Sequence, residues 1–129
     1  MIQIKYTIRP FIKANGQVAV RVRWNNNTSE VTFITGVYAE RDKWDDDGHR
    51  AVKNTTHKFE KREYRSYEIN DRIADFREAI EEVMSRYSLK NSVPTNLEFR
   101  TVTIFFERAS IFRFLPLNLN SFYINLPKN

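Results

Sequence analysis

A chain of 129 residues with 41% hydrophobic and 29% charged residues is long enough for one domain with a packed core. Its 21 Lys and Arg outnumber its 16 Asp and Glu, a net charge of +5, which favours polyanionic partners, nucleic acid or an acidic membrane surface. The absence of cysteine excludes disulfides and thiolate metal sites and fits a reducing cytoplasm. The alternating start MIQIKYTIRP is no signal peptide, and no run reaches the ~18 apolar residues of a spanning helix.

The charge is concentrated at one end. Residues 1–65 hold 13 basic and 8 acidic side chains, residues 66–100 hold 5 and 7, and residues 101–129 hold 3 and 1.

Residues 2–9 alternate strictly: Ile2, Ile4, Tyr6 and Ile8 on one side, Gln3, Lys5, Thr7 and Arg9 on the other. This period of two predicts a half-buried strand, ended by Pro10. The stretch KANGQ supplies a turn at Asn15-Gly16. Residues 17–24, QVAVRVRW, predict a second strand whose core face is Val18, Val20, Val22 and Trp24, and whose other face carries Gln17, Ala19, Arg21 and Arg23. After the turn NNNTS, residues 30–35 form a third strand closed by Gly36. Short connections make these strands an antiparallel meander over residues 2–36.

Residues 37–56 read as a loop, with Trp44 folded back as an apolar plug. A long helix is expected over residues 57–89, because Ile69, Ile73, Phe76, Ile80, Val83 and Tyr87 recur every three or four positions. Asn54, Thr55 or Thr56 would cap its start, and Val93-Pro94 would stop it. The fold class is therefore α+β: a three-stranded antiparallel sheet covered on one face by a long helix, within a domain spanning residues 1–92. Residues 93–129 are expected to be a tail of poorly defined structure. Thr95 to Glu98 is a capping box able to start a second helix, yet FRTVTIFF reads as strand-like and five of the ten Phe lie in residues 101–129. A truncated or frame-shifted end is one reading; an added strand or partner-binding segment is the other.

One helix layer covers one sheet face, so the other is left displaying Lys5, Arg9, Arg21 and Arg23. A two-stranded ribbon fits the DNA major groove, and an Arg fork matches guanine O6 and N7 or a phosphate. Arg21 and Arg23 would stand ~6.6 Å apart by strand rise; the plain alternative is a solvated sheet face. Lys58, Lys61, Arg62 and Arg65, spaced i, i+3, i+4 and i+7, would form a basic helical stripe able to hold a phosphate backbone. Asp45-Asp46-Asp47-Gly48 is not a calcium loop, because Lys43 and Asn54 occupy the first and last ligand positions. His49 and His57 lack zinc-site spacing. The three glycines sit at turns or strand ends, so there is no phosphate loop, and no nucleophile stands in a recognisable context. No cofactor and no small-molecule ligand is expected.

The order of these parts resembles the N-terminal arm-type DNA-binding domain of tyrosine recombinases, the integrases of phages and conjugative transposons of the Bacteroidetes type. The likeness covers residues 2–100. It rests on Gly16; on Val20, Val22, Arg23 and Trp24; on Phe33-Ile34-Thr35-Gly36-Val37; on Trp44-Asp45; on Ile69-Asn70; and on Pro94-Thr95. It implies a module that binds double-stranded DNA at arm-type sites through its sheet, with Arg23 as the strand arginine, Arg21 beside it, and Thr35, Gly36 and Trp44 in structural roles. Other recombinase protomers are a further implied partner. The helical core-binding domain and catalytic domain of that family have no counterpart in these residues, and Tyr123 has no catalytic partners, so no enzymatic activity is expected. A protein-interaction module using the tail or helix is the competing function. RNA binding would need aromatics on the exposed sheet face.

Overall fold

The computed structural model describes residues 2–110; residues 111–129, including Tyr123, lie outside the described residues. Three strands, β1 (Tyr6–Ile12), β2 (Gln17–Trp24) and β3 (Ser29–Tyr38), form the expected antiparallel meander in the order β1-β2-β3. Pro10 does not end β1. It lies within the strand as the Cα partner of Val20. An edge strand tolerates proline because the missing N–H can be the one that faces no neighbour. β3 likewise runs past Gly36, where φ is +86° and the register with β2 shifts, a bulge that glycine accommodates without strain. Thr35 is buried beside it and donates its hydroxyl to Val18 O at 2.6 Å.

The expected helix over 57–89 is corrected at its start. Residues 57–65 belong to a hairpin of β6 (Thr56–Phe59) and β7 (Arg62–Arg65), and helix α1 covers Ser66–Leu89. The preceding loop contains a second small pair, β4 (Trp44–Asp45) and β5 (Arg50–Ala51). Lys58, Lys61, Arg62 and Arg65 have helical spacing by coincidence; tertiary contacts decide the outcome. His57 is buried, and Phe59 stacks on Tyr38 with ring centroids 4.0 Å apart. The two-residue turn Glu60-Lys61 has no Asn-Gly signature, and Glu60 takes φ +55°. Asn54, Thr55 and Thr56 therefore do not cap α1. Arg65 precedes the helix, and its N–H donates to the Glu68 carboxylate at 3.0 Å.

A second helix, α2 (Asn96–Ser110), begins at the Thr95–Glu98 capping box: Thr95 N–H donates to Glu98 and Glu98 N–H to Thr95 Oγ1. This helix packs against the sheet. Phe99 is fully buried, 4.6 Å from Trp24 and 5.8 Å from Phe33 by ring centroids. The Trp24 indole N–H donates to Pro94 O at 3.2 Å, fixing the α1–α2 connection against the sheet.

The core face of the sheet meets two apolar clusters. At one end Val20, Val22, Trp24, Val31 and Phe33 pack on Phe76, Ile80, Val83 and Met84 of α1 and on Phe99. At the other, Ile12 and Val18 meet Trp44, Ala51, Ile69 and Ile73, so Trp44 is the plug expected. Asn70 explains the Ile69-Asn70 pair: its side chain accepts from Ala51 N–H at 2.9 Å and donates to Ala51 O at 3.2 Å, pinning β5 to the helix.

His57 illustrates how the hairpin is held. Its Nδ1 accepts the Glu40 N–H at 2.8 Å, so Nε2 carries the proton toward Thr55 Oγ1 at 2.9 Å, and that hydroxyl donates to Val52 O. The ring is neutral in this network, and burial pushes its pKa below the usual histidine value. The unfolded chain therefore takes up the proton first. Stability is fully present above ~pH 6.5 and is lost as pH falls toward the folded-state value. Thermal melts should show a lower Tm at pH 5.5 than at pH 7.5, a window in which Glu40, whose pKa is lowered by its Lys43 partner, stays ionised. An equal Tm at both pH values would refute the neutral-ring network.

Candidate nucleic-acid interface

Both helices pack on the Val/Trp side of the sheet, so among the described residues neither helix covers the opposite face, although Ala19 within it is fully buried. Its side chains stand in three cross-strand rows. Phe11, Ala19 and Ile34 make an apolar row; Arg9, Arg21 and Thr32 a basic one; Thr7, Arg23 and Glu30 a mixed one. Lys5, exposed, continues the same alternation just before β1. Register thus places Arg9, Arg21 and Arg23 of the four expected cations on this face, and Lys5 precedes it.

Strand geometry alone brings Arg9 directly opposite Arg21, a like-charge pair that is unfavourable in a solvated sheet unless an anion meets it. Arg21 is half-buried, its guanidinium 4.7 Å from the centroid of the Phe11 ring. Its Nε lies 2.9 Å from Glu30 Oε1 as an ion pair, without hydrogen-bond alignment. Arg23 Nε donates to that same oxygen at 3.2 Å. One carboxylate thus stands between two guanidinium groups.

The four hairpin cations do not form the expected stripe. Lys58 pairs across the hairpin with Glu63, and Arg65 with Thr56, which puts both on one side. Arg62, opposite Phe59, is on the other side and hydrogen-bonds Tyr64; Lys61 is at the turn. The Phe59–Tyr38 stack fastens this hairpin to the sheet. Tyr38 is the cross-strand partner of Gln17, two positions before Ala19 on the open side of β2, so Arg62 approaches the apolar end of the open face. Gly16 lies beneath the stack, with φ +86° and its carbonyl accepting Ala39 N–H, a position that only glycine fills without strain.

The helix layer carries the opposite charge. α1, on the covered side of the sheet, exposes Glu68, Asp71, Glu78, Glu81 and Glu82 against one exposed cation, Arg77. A polyanion is therefore repelled by one side and drawn to the other.

Two residues of this face escape a reading of the sequence. Phe11 was hidden by the expectation that Pro10 ends the strand, although it shares the parity of Lys5, Thr7 and Arg9. Glu30 reads as an ordinary strand end; only the β2–β3 register brings it to Arg21 and Arg23. Among the described residues no group of three or more His, Cys, Asp or Glu could hold a metal, and no helix is long and apolar enough to cross a membrane.

A basic β-face backed by an acidic helix is complementary in charge to a polyanion. The family model for the arm DNA-binding domain matches residues 6–100, and the chain belongs to that family, the N-terminal module of tyrosine recombinases and integrases. DNA is accordingly its partner, and the module is a non-catalytic one. Searches of curated proteins and of solved structures found no significant match.

Proposed function

We propose that this domain binds arm-type sites on double-stranded DNA by lowering the open face of its sheet into the major groove, as the N-terminal module of a site-specific recombinase of mobile elements. The observation that carries this reading is the placement of Arg9, Arg21 and Arg23 on one uncovered face. The β1–β2 pair, with strands ~4.8 Å apart, is the kind of two-stranded ribbon that a groove ~12 Å wide admits. Arg21 and Arg23 reach base edges; Arg9 and Lys5 lie toward the phosphates, joined by Lys61 and Arg62 from the hairpin. Lys58 and Arg65, on the hairpin's far side, contact flanking backbone only if the duplex bends toward them.

Titration of labelled protein with a short duplex, followed by amide chemical shifts, tests this. The expected shifts fall on β1, β2, β3 and the Glu60-Lys61 turn. Shifts confined to α1 and α2 would overturn the sheet-face mode.

A second reading has its own observation. Leu89, Val93 and Leu97 are 67%, 43% and 72% exposed around the α1–α2 connection, an apolar surface suited to a neighbouring protomer. It lies on the helix side and is compatible with DNA on the sheet.

A further inference from the structure

We propose that Glu30 is the specificity-determining residue of the open face: it holds Arg21 and Arg23 for base edges and suppresses their use on phosphates. This rests on the sheet-face reading above and deepens it. Both Nε atoms converge on one carboxylate oxygen, Glu30 Oε1, at 2.9 and 3.2 Å. Arg23 Nε donates to Glu30 and Arg21 Nε is held beside the same oxygen as an ion pair, so base recognition falls to the terminal Nη groups, the pair of donors that meets guanine O6 and N7. Arg21 is further fixed by its stack on Phe11, so little rotamer freedom remains to be lost on binding.

The same carboxylate sets the strength of indiscriminate binding. Arg21, Arg23 and Glu30 together carry +1 rather than +2, so one fewer counterion is displaced from any duplex they approach. A carboxylate beside phosphate is repelled, and that cost is offset only where the arginines find base acceptors. Glu30 is itself 43% exposed, and so is able to accept from a cytosine N4 amino group next to a guanine. The geometry therefore points to a G- and C-containing step as the base pairs under Arg21, Arg23 and Glu30. Specificity arises because the wrong sequence leaves the charge unpaired, as much as because the right one attracts.

The test is Glu30→Gln, which preserves size on an exposed edge strand. Two probes are used: a randomised duplex pool, and the duplex that the wild-type protein enriches from that pool. For the pool, the variant should bind about 5- to 10-fold tighter at 0.1 M salt, with a log–log salt slope steeper by about 0.9. For the enriched duplex, affinity should rise less or fall, so the ratio between the two probes drops by at least the same factor. An unchanged ratio, or a wild-type protein that enriches no G- and C-containing step, would overturn the role of Glu30. Arg21→Ala/Arg23→Ala on the same probes separates the two levels. If that variant loses binding while the Glu30→Gln ratio is unchanged, the sheet face binds DNA and only the assignment of Glu30 fails. If neither variant alters binding, the sheet-face reading itself fails.

Discussion

Replacing Arg21 and Arg23 together by alanine is expected to weaken duplex binding by about 2–6 kcal/mol, at about 1–3 kcal/mol for each base-reading arginine. Binding assays on the single and double variants at fixed salt measure this. The two losses should not add simply, because both side chains share Glu30. Once both are gone, that carboxylate faces the duplex alone and adds repulsion, so the double variant should lose more than the singles suggest. Folding should survive: Arg23 is exposed, and Arg21 contributes only its stack on Phe11 to packing. Lysine at both positions separates charge from geometry, since it keeps the cation but loses the planar fork. Retained affinity in the double alanine variant would eliminate the sheet face as the DNA-reading surface.

Arg72→Leu is expected to cause a large loss of stability without touching the DNA face. Arg72 is the junction of three elements. Its Nε donates to Thr35 O at 2.9 Å, its guanidinium pairs with Glu107 of α2, and it lies 4.9 Å from the Phe76 ring. Glu107 is only 4% exposed, so removing Arg72 takes the countercharge from a buried carboxylate and frees a carbonyl beside the β3 bulge. Breaking a fully buried pair costs about 3–5 kcal/mol; the Arg72 side chain is 29% exposed, so the loss falls at the lower end of that range. In a domain of this size that lowers Tm by more than ~10 °C in a calorimetric or circular-dichroism melt. Adding Glu107→Leu should recover much of the loss, because an apolar pair needs no desolvated charge to be compensated. A single variant that melts like the wild type would show that the Arg72–Glu107 pair does not tie α2 to the sheet.

The sheet was legible because period-two alternation is a direct consequence of strand geometry. QVAVRVRW assigns Val20, Val22 and Trp24 to the core and Arg21 and Arg23 to the other face, and both assignments hold. The stripe from Ile69 to Tyr87 was legible as helix for the same kind of reason. Where a period arises by coincidence, the sequence misleads. HKFEKREYR carries cations at helical spacing and no turn signature, so nothing local announces the hairpin. The buried His57 and the Phe59–Tyr38 stack, which involve residues 17 or more positions away in the chain, select the hairpin.

The tail reading shows the converse case. The capping box at Thr95 is a local signal and correctly announces α2, while the β-branched and aromatic residues after it argue for a strand. The helix wins because one of its faces buries Phe99 against Trp24 and Phe33, and its Glu107 meets Arg72.

Local chemistry by itself settled which side chains of each meander strand share a side, where the two turns of the meander fall, and that a basic surface exists, because alternation, turn residues and charge are properties of neighbouring positions. Only the tertiary structure decided that Glu30 bridges Arg21 and Arg23, that Phe11 underlies Arg21, and that the four hairpin cations part to different sides. Those relations depend on strand register and on packing between distant segments, and a one-residue change of register would have turned every one of these side chains to the other face.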